Sequence, residues 1–386
     1  MTTAAAQRTS PGEQFRAAAT VLADHPSGET ADPRVLNFLQ SLGFWPAPTD
    51  IAHRDHLVRM LRFAAGLQRF FRLDSPFAPG ARFCGGADSG TEDRPGGNYA
   101  GCGLGLGSAF LTCIGEAAEY SAMYRRANDR RVNADSIPGQ SLVSGAEISL
   151  DAAKVLRTSN ADTPQPSSTG YAAGPSLAAA TEGAFRECVE RDAIARWSLG
   201  ETRAVRISPD DSLQMMAGTI GRTTVRPVLF GDISPANALA RSAVAISADD
   251  VIGTAFGFGS AFSKYDACRK ALLELCQGEI GLLMIDRKVR DGGETGLSPK
   301  EAAALERARA FLPGRGILDF AEKSDAPATS PEDFTTATIF AGAKGVDILT
   351  CDITVPGEDI PVARVCVTGL LDAATTPERN DLPSLL

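Results

Sequence analysis

Residues 168–197, STGYAAGPSLAAATEGAFRECVERDAIARW, join a glycine-rich turn to a long helical pattern, and this stretch decides the fold. The apolar residues of the predicted helix share one side, and its glutamates share the other: Glu182, Glu187 and Glu190. Ile194 and Trp197 follow on the glutamate side one turn later. This spacing predicts that the acidic face is enclosed by protein.

The same arrangement occurs twice more, each time as a glycine-rich approach followed by a helix with paired acidic or amide residues. The pairs are Glu116 with Glu119 in residues 103–121, and Glu274 with Gln277 in residues 257–277. Helical positions three apart differ by about 60°, so each pair projects from one face. Thr112, four residues before Glu116, joins the first of these faces.

Carboxylates that converge in an enclosed site repel one another, and a divalent metal ion with oxygen ligands relieves that repulsion. Mg²⁺ keeps few protein ligands and usually bridges to substrate phosphates, so the three helices predict a nucleotide triphosphate as partner. Arg191, next to Glu190, is placed to contact phosphate oxygens. A single such pair usually marks a solvated helix face, and only its repetition favours a metal site. Neither a P-loop nor a strict G-x-G-x-x-G motif occurs in the sequence.

Composition excludes several functional classes. The 386-residue chain has 47 acidic and 38 basic residues and a net charge of −9, which argues against a nucleic-acid-binding protein. No apolar run approaches the ~20 residues of a membrane-spanning helix. The opening residues lack the apolar stretch of a secretory signal. We therefore expect a cytoplasmic protein that binds neither nucleic acid nor membrane.

Cysteines and histidines give no motif. The eight cysteines are scattered without a C-x-x-C pair, so we predict that most are small buried thiols. The histidines lie near the start of the chain, at His25, His53 and His56. Chemistry in the rest of the chain must therefore use carboxylates, amides, hydroxyls, thiols and cations.

The chain divides into two predicted parts. Residues 11–72 have a helical pattern, and the composition becomes rich in glycine and turn-forming residues over 79–107. We predict an N-terminal helical extension over 1–78 and a catalytic domain over 79–386. Strand-like runs and long helical patterns interleave in the second part. The strands are predicted at 225–233, 242–248, 250–259, 345–354 and 361–370. Loops are predicted at 159–168, 290–299 and 323–333. This mixture predicts an α/β (α+β) fold.

The chain resembles the YcaO family, whose members use ATP to activate peptide amides. The strongest block is residues 168–197, which is similar to the family's S-T-G-x-A-x-G stretch followed by E-x-x-E-R-D. Further blocks are IGEAAEYS at 114–121, FGSAFSKYDACRKALLELCQ at 258–277 and PVARVCVTGL at 361–370. They occur in the family's order, and the resemblance covers residues 98–372.

The resemblance implies a YcaO-type ATP-binding fold with mixed sheets flanked by helices, and ATP and Mg²⁺ as cofactors. It implies Mg²⁺ ligands at Glu116, Glu119, Glu187 and Glu190. It places the nucleotide against Thr112, Glu182, Arg191, Glu274 and Gln277, with Arg191 and Glu190 as the catalytic pair. The microcin-type azole synthetases share an acid at the offset of Glu182, which favours that branch.

The activity implied is a cyclodehydratase that converts Cys, Ser or Thr of a ribosomally made precursor peptide to thiazoline or oxazoline. The expected partners are the precursor peptide, an E1-like leader-recognition protein and, if rings are oxidised, an FMN-dependent dehydrogenase. Two alternatives remain open. One is a YcaO enzyme that forms thioamides or amidines. The other is a non-catalytic scaffold, in which Tyr120, Pro175 and Ala179, departures from the family pattern, mark a decayed nucleotide site.

Overall fold

The computed structural model describes residues 10–127, 129–160, 162–222, 226–311, 318–322 and 330–372. The α-helices are α1 (Pro11–Asp24), α2 (Pro33–Ser41), α3 (Ile51–Ala64), α4 (Leu106–Ala122), α5 (Ala152–Val155), α6 (Leu177–Ser198), α7 (Asp211–Thr219), α8 (Lys264–Gly292), α9 (Pro299–Ala310) and α10 (Phe334–Ala343). The strands are β1 (Arg69–Leu73), β2 (Arg82–Ala87), β3 (Gly90–Thr91), β4 (Arg94–Pro95), β5 (Asn98–Gly103), β6 (Ser136–Ser141), β7 (Glu147–Asp151), β8 (Tyr171–Ala173), β9 (Val205–Ile207), β10 (Leu229–Asp232), β11 (Arg241–Asp249), β12 (Gly253–Ala261), β13 (Ile348–Asp352) and β14 (Val362–Val367).

The strands form three larger sheets and one short ribbon, which confirms the α+β class. The sheet orders are β1-β2-β5, β12-β11-β10-β9 and β7-β6-β13-β14-β8, and β3 pairs with β4. We expected mixed sheets, whereas the ladders between these strands are antiparallel. Short connections such as the turn between β11 and β12 return the chain beside itself, and such connections produce antiparallel neighbours.

Three strand–turn–helix units carry the glycine-rich approaches that the sequence singled out: β5 to α4, β8 to α6, and β12 to α8. Glycine is needed where strand and helix touch. A Cβ at Gly101 would collide with the backbone of Ala109 and Cys113, and one at Gly257 would collide with Ala271 and Leu275. The missing side chains therefore let β5 and β12 lie directly against the helices that follow them.

The three N-terminal helices share a hydrophobic core with α4 and are not a loose appendage. Phe15 of α1 packs against Phe110 of α4, with ring centroids 5.6 Å apart, and both side chains are fully buried. The helical prediction for 11–72 fails at its end, because α3 stops at Ala64 and residues 69–73 form β1. Gly66 follows the helix, and RFFRL favours a strand. The domain division at residue 78 remains a prediction.

A buried ion cluster fixes α8 to the sheet behind it. Glu279 is fully buried and accepts hydrogen bonds from Arg222 at 2.5 and 2.6 Å, from Arg226 at 2.9 Å and from the Ser247 hydroxyl at 2.5 Å. Arg226 is also fully buried and forms an ion pair with Asp249 at 2.5 Å. Because charges in a protein interior are costly unless paired, this cluster holds α8 in one position relative to β11 and β12.

The predictions for the cysteines, the loops and membrane-spanning helices can also be compared with the structure. Most of the cysteines are buried, and all eight are free thiols. Residues 290–299 are not a simple loop, since α8 continues to Gly292 and a short 3₁₀ turn follows at Glu294–Gly296. Part of the predicted loop at 323–333 and the last fourteen residues, 373–386, lie outside the described residues. In the part of the chain that is described, no helix is long and apolar enough to cross a membrane.

Candidate nucleotide and metal site

The first glutamate pair lies on α4, and each carboxylate binds a strand amide. Glu116 Oε2 accepts a hydrogen bond from the backbone N–H of Ala100 on β5 at 2.7 Å. Glu119 Oε1 accepts one from the backbone N–H of Ala173 on β8 at 2.8 Å. The pair therefore spans the gap between two strand–helix units, one carboxylate reaching each strand.

The second pair lies on α6 together with the predicted arginine. Glu187 Oε2 accepts hydrogen bonds from the backbone N–H groups of Gly170 at 2.9 Å and Tyr171 at 3.2 Å. The Arg191 guanidinium lies 3.6 Å from Glu187 Oε1 and 3.8 Å from Glu190 Oε1. These separations are longer than hydrogen bonds, so the guanidinium retains donors for another acceptor.

The third helix, α8, brings Glu274 to the same place. Its Oε2 accepts a hydrogen bond from the backbone N–H of Phe258 on β12 at 3.3 Å. All three strand–helix units thus use one device: a helix glutamate whose oxygen is oriented by a strand amide. Such a bond fixes the direction of the carboxylate and leaves its other lone pairs for a ligand.

Lys270, which was not among the residues predicted from the sequence, lies four residues before Glu274 on α8. Its ammonium donates to the backbone carbonyl of Ser260 at 3.0 Å. Burial lowers the pKa of Lys270 to about 8, nearby Arg186 lowers it further, and the charge of Glu190 opposes that shift. A lysine one helical turn from a candidate ligand glutamate is the sequence signal that would have found it.

The carboxylates form a continuous electrostatic chain across the three helices. Burial, above all, raises the pKa of Glu119 well above its usual range, and the charges of Glu187 and Glu116 add to this effect. Burial raises the pKa of Glu187 to about 6, with Glu190 adding repulsion and Arg191 opposing it. Burial raises the pKa of Glu274 to about 8, with Glu190 again adding repulsion. Glu190 is therefore the strongest of the α6 charges that act on Glu274, and Arg191 and Glu187 also act on it.

Water reaches these side chains to different degrees, and we call the region that they share between α4, α6 and α8 the glutamate cleft. Glu116 and Glu274 are exposed, whereas Glu119, Glu187 and Glu190 are partly buried. Protein atoms surround Glu274 densely, but water reaches it and screens part of the repulsion from its neighbours. The acidic face of α6 is thus walled by protein, as the sequence predicted, without being sealed.

The donor set fits Mg²⁺, a hard cation that takes oxygen ligands and keeps several waters. Among the described residues, no three Asp, Glu, His or Cys side chains converge into a group that could hold a metal ion by itself. Carboxylates that come from separate helices suit an ion that also bonds to phosphate oxygens, because Mg²⁺ rarely relies on an all-protein cage.

Three predicted nucleotide-binding residues lie at the margins of this chain of carboxylates. Glu182 forms an ion pair with Arg186 at 3.5 Å, one turn along α6. The Thr112 hydroxyl donates to the carbonyl of Ser108 at 2.9 Å, and its side chain is exposed. Gln277 lies one turn beyond Glu274 on α8 and is partly buried. Their contact with a nucleotide remains a prediction.

The raised pKa values predict how stability changes with pH. A glutamate in the unfolded chain ionises near 4.5, while folded Glu187 holds its proton to about 6 and Glu274 to about 8. Stability of the metal-free protein is therefore lost as pH rises through this range, by on the order of 1–2 kcal/mol for Glu187. Since Mg²⁺ binds ionised carboxylates, Mg²⁺ with ATP should raise the melting temperature more at about pH 8 than at about pH 5.5.

Thermal melts at both pH values, with and without Mg²⁺ and ATP, check this prediction. Glu274→Gln should reduce the pH dependence of the metal-free protein, because it removes one of the carboxyl groups whose pKa is raised in the folded state. An equal gain in melting temperature at both pH values would show that these carboxylates do not bind the metal.

Comparison with known proteins identifies the family. A sequence profile described as YcaO cyclodehydratase, ATP- and Mg²⁺-binding, matches residues 101–371. A search of curated proteins found no match. The YcaO structure from Methanopyrus kandleri bound with AMPPCP and Mg²⁺ is similar with a TM-score of 0.60 and 19% identity, over 89% of this chain and 95% of that chain.

Two other solved structures share the fold at low identity. A heterocyclase in complex with substrate and cofactor has a TM-score of 0.63 and 16% identity, over 81% of this chain but only 51% of that chain. The E. coli microcin synthetase McbBCD complex with pro-MccB17 bound has a TM-score of 0.54 and 14% identity, over 77% of this chain and 86% of that chain. The profile match extends over more than half of the sequence and contains all three glutamate helices, and the chain therefore belongs to the YcaO family of ATP- and Mg²⁺-binding proteins.

Proposed function

We propose that the chain is an ATP-dependent peptide cyclodehydratase that converts Cys, Ser or Thr of a ribosomally made precursor peptide to thiazoline or oxazoline. The observation that carries this proposal is the chain of glutamates formed by Glu119, Glu187, Glu190 and Glu274, with Arg191 and Lys270 among them. Backbone amides orient three of the four, Glu119, Glu187 and Glu274. Carboxylates for Mg²⁺ beside cations for phosphate are what phosphoryl transfer requires.

Amide activation by ATP suits a site that is rich in charged side chains. The side chain of the substrate residue attacks the preceding amide carbonyl, and the amide oxygen is a poor leaving group until it carries a phosphoryl group supplied by ATP. Glu116, Glu119, Glu187 and Glu190 would hold Mg²⁺, while Arg191 and Lys270 would bind phosphate oxygens. Positioning and charge neutralisation carry such a reaction, so a histidine base is not required.

The partners follow from the same proposal. The precursor peptide is the substrate, and an E1-like leader-recognition protein presents it, with the reaction taking place in the cytoplasm. The McbBCD structure with pro-MccB17 bound supports this assignment, because a protein of this fold occurs there in a complex with a peptide. An FMN-dependent dehydrogenase is implied only if the rings are oxidised to azoles.

The proposal is tested by incubating the purified chain, its partner protein and a precursor peptide with Mg²⁺ and ATP. The expected result is loss of one water mass per ring, with release of ADP and phosphate. A gain equal to the difference between sulfur and oxygen would instead identify a thioamide-forming enzyme. Nucleotide turnover and peptide mass that both stay unchanged with every partner combination would favour the non-catalytic scaffold.

A further inference from the structure

A basic groove lies outside the glutamate cleft, at the β9 edge of the four-stranded sheet. Its volume is about 620 Å³, and one acidic residue, Asp232, lines it. Four cations also line it: Arg203, Arg206, Arg241 and Lys264. The volume is within the range of ligand-binding clefts. On a chain with a net charge of −9, this concentration of positive charge attracts acidic ligands.

The groove already contacts one acidic stretch of its own chain. Arg203 pairs with Asp319 at 3.1 Å, and Arg206 pairs with Glu322 at 3.4 Å. Between these acids, Ala321 makes backbone hydrogen bonds to β9 and to the residue before it. The Arg206 N–H donates to the Ala321 carbonyl at 2.7 Å, and the Ala321 N–H donates to the Ala204 carbonyl at 2.9 Å. The arginines beside β9 are therefore spaced to pair with carboxylates on an extended peptide.

The other two cations make one long ion pair between them and the acidic residues of the groove. Arg241 is 3.5 Å from Asp232, which is longer than a hydrogen bond. Lys264 is exposed in the first turn of α8, and it makes no ion pair within the described residues. Lys264 thus has no acidic partner among the described residues, and Arg241 keeps hydrogen-bond donors beyond its long ion pair with Asp232.

The spread of the cations favours a peptide over a compact phosphate. Arg203 and Arg206 are three residues apart in extended chain, which corresponds to about 10 Å along the strand direction. Because β10 lies between β9 and β11, those two strands are also about 10 Å apart. A single phosphate reaches donors within about 3 Å of its oxygens, so it cannot touch all four groups. Several carboxylates along an extended chain can.

The groove also lies close to the glutamate cleft. Arg241 on β11 is the register partner of Ala261 on β12, and the neighbouring Ser260 carbonyl accepts the hydrogen bond from Lys270. Along α8, Lys264 and Glu274 are ten residues apart, which corresponds to about 15 Å. An extended peptide covers that distance with about four or five residues.

We propose that the basic groove binds an acidic, extended stretch of the peptide substrate, about four to six residues from the amide that is activated. This inference rests on the proposed function and adds a substrate feature to it. The groove orients the peptide relative to the cleft and selects substrates by the position of their carboxylates. Ring formation should therefore be faster in peptides with Asp or Glu at that distance.

The binding test uses the full chain and a fluorescent, end-capped hexapeptide of alternating glutamate and glycine, followed by anisotropy. The double variant Arg241→Glu with Lys264→Glu should bind it at least about tenfold more weakly than the unaltered chain, which corresponds to about 1.4 kcal/mol. The control variant Arg287→Glu, on the exposed end of α8, should bind it unchanged. The milder pair Arg241→Gln with Lys264→Gln serves if the charge reversal disturbs folding.

The alternatives have distinct outcomes. Equal binding of a lysine–glycine hexapeptide, or unchanged binding by both double variants, overturns the proposal. Inorganic phosphate is added at a concentration that supplies the same negative charge as the peptide. Displacement of the probe under this condition shows a site for small anions and overturns the assignment to a peptide. Ring formation without probe binding would remove this inference alone, whereas probe binding without any dehydration would remove the proposed function alone.

Discussion

Glu190→Gln is expected to lower ATP-dependent dehydration of the precursor peptide by about 10²- to 10³-fold. Glutamine keeps the size of the side chain but removes the charge that couples the α6 and α8 groups, where Glu190 influences both Glu187 and Glu274. In the proposed role, the lost charge would act on the metal and the transferring phosphoryl group, so kcat should fall more than KM for the peptide rises. Initial rates of phosphate release and of peptide mass change measure this effect.

The matched control is Glu201→Gln, the same chemical change just beyond the end of α6. Glu201 is half-exposed, pairs with Arg196 at 2.9 Å and lies beyond the last residue of α6. Its activity should remain within about twofold of the unaltered protein, because exposed ion pairs contribute little. Equal activity of the Glu190 and Glu201 variants would contradict the assignment of Glu190 to the site.

Glu279→Ala is expected to lower the free energy of unfolding by about 3–5 kcal/mol. The change leaves Arg222 and Arg226 buried without the carboxylate that they share. Because Glu279 lies on α8 five residues after Glu274, the loss also loosens the helix that carries part of the cleft. Equilibrium denaturation followed by circular dichroism measures the change in stability.

Glu294→Ala is the comparison for this experiment. Glu294 pairs with Arg309 at 2.7 Å, but both side chains are more than half exposed, so its loss should cost less than about 1 kcal/mol. Similar midpoints for the two alanine variants would show that the buried cluster does not hold α8 in place.

The glutamate pairs could be predicted from sequence because helical spacing is local. Once residues 177–198 form a helix, Glu187 and Glu190 must project from neighbouring positions, and no tertiary contact is needed to know this. The strands β10 to β14 could also be predicted, because the alternation of side chains along a strand is local as well. The acidic face of α6 was also correctly predicted to lie opposite the core residues Phe185 and Cys188.

The features that could not be predicted from the sequence depend on tertiary contacts. The strand amides that orient the carboxylates belong to residues such as Ala100 and Ala173, whose side chains carry no chemical signal. The role of Lys270 depends on where β12 ends, and the basic groove joins residues from four separate segments. β1 was missed because a helical pattern was extended beyond Gly66 into residues that pair with β2.

The most direct test of the central claim follows the oxygen atom of the activated amide. A precursor peptide labelled with heavy oxygen at that carbonyl is incubated with the chain, its partner protein, Mg²⁺ and ATP, and the released phosphate is analysed by mass spectrometry. The account predicts that the heavy oxygen appears in the phosphate, one label for each ring formed, because ATP phosphorylates the amide oxygen. Ring formation with unlabelled phosphate would contradict it.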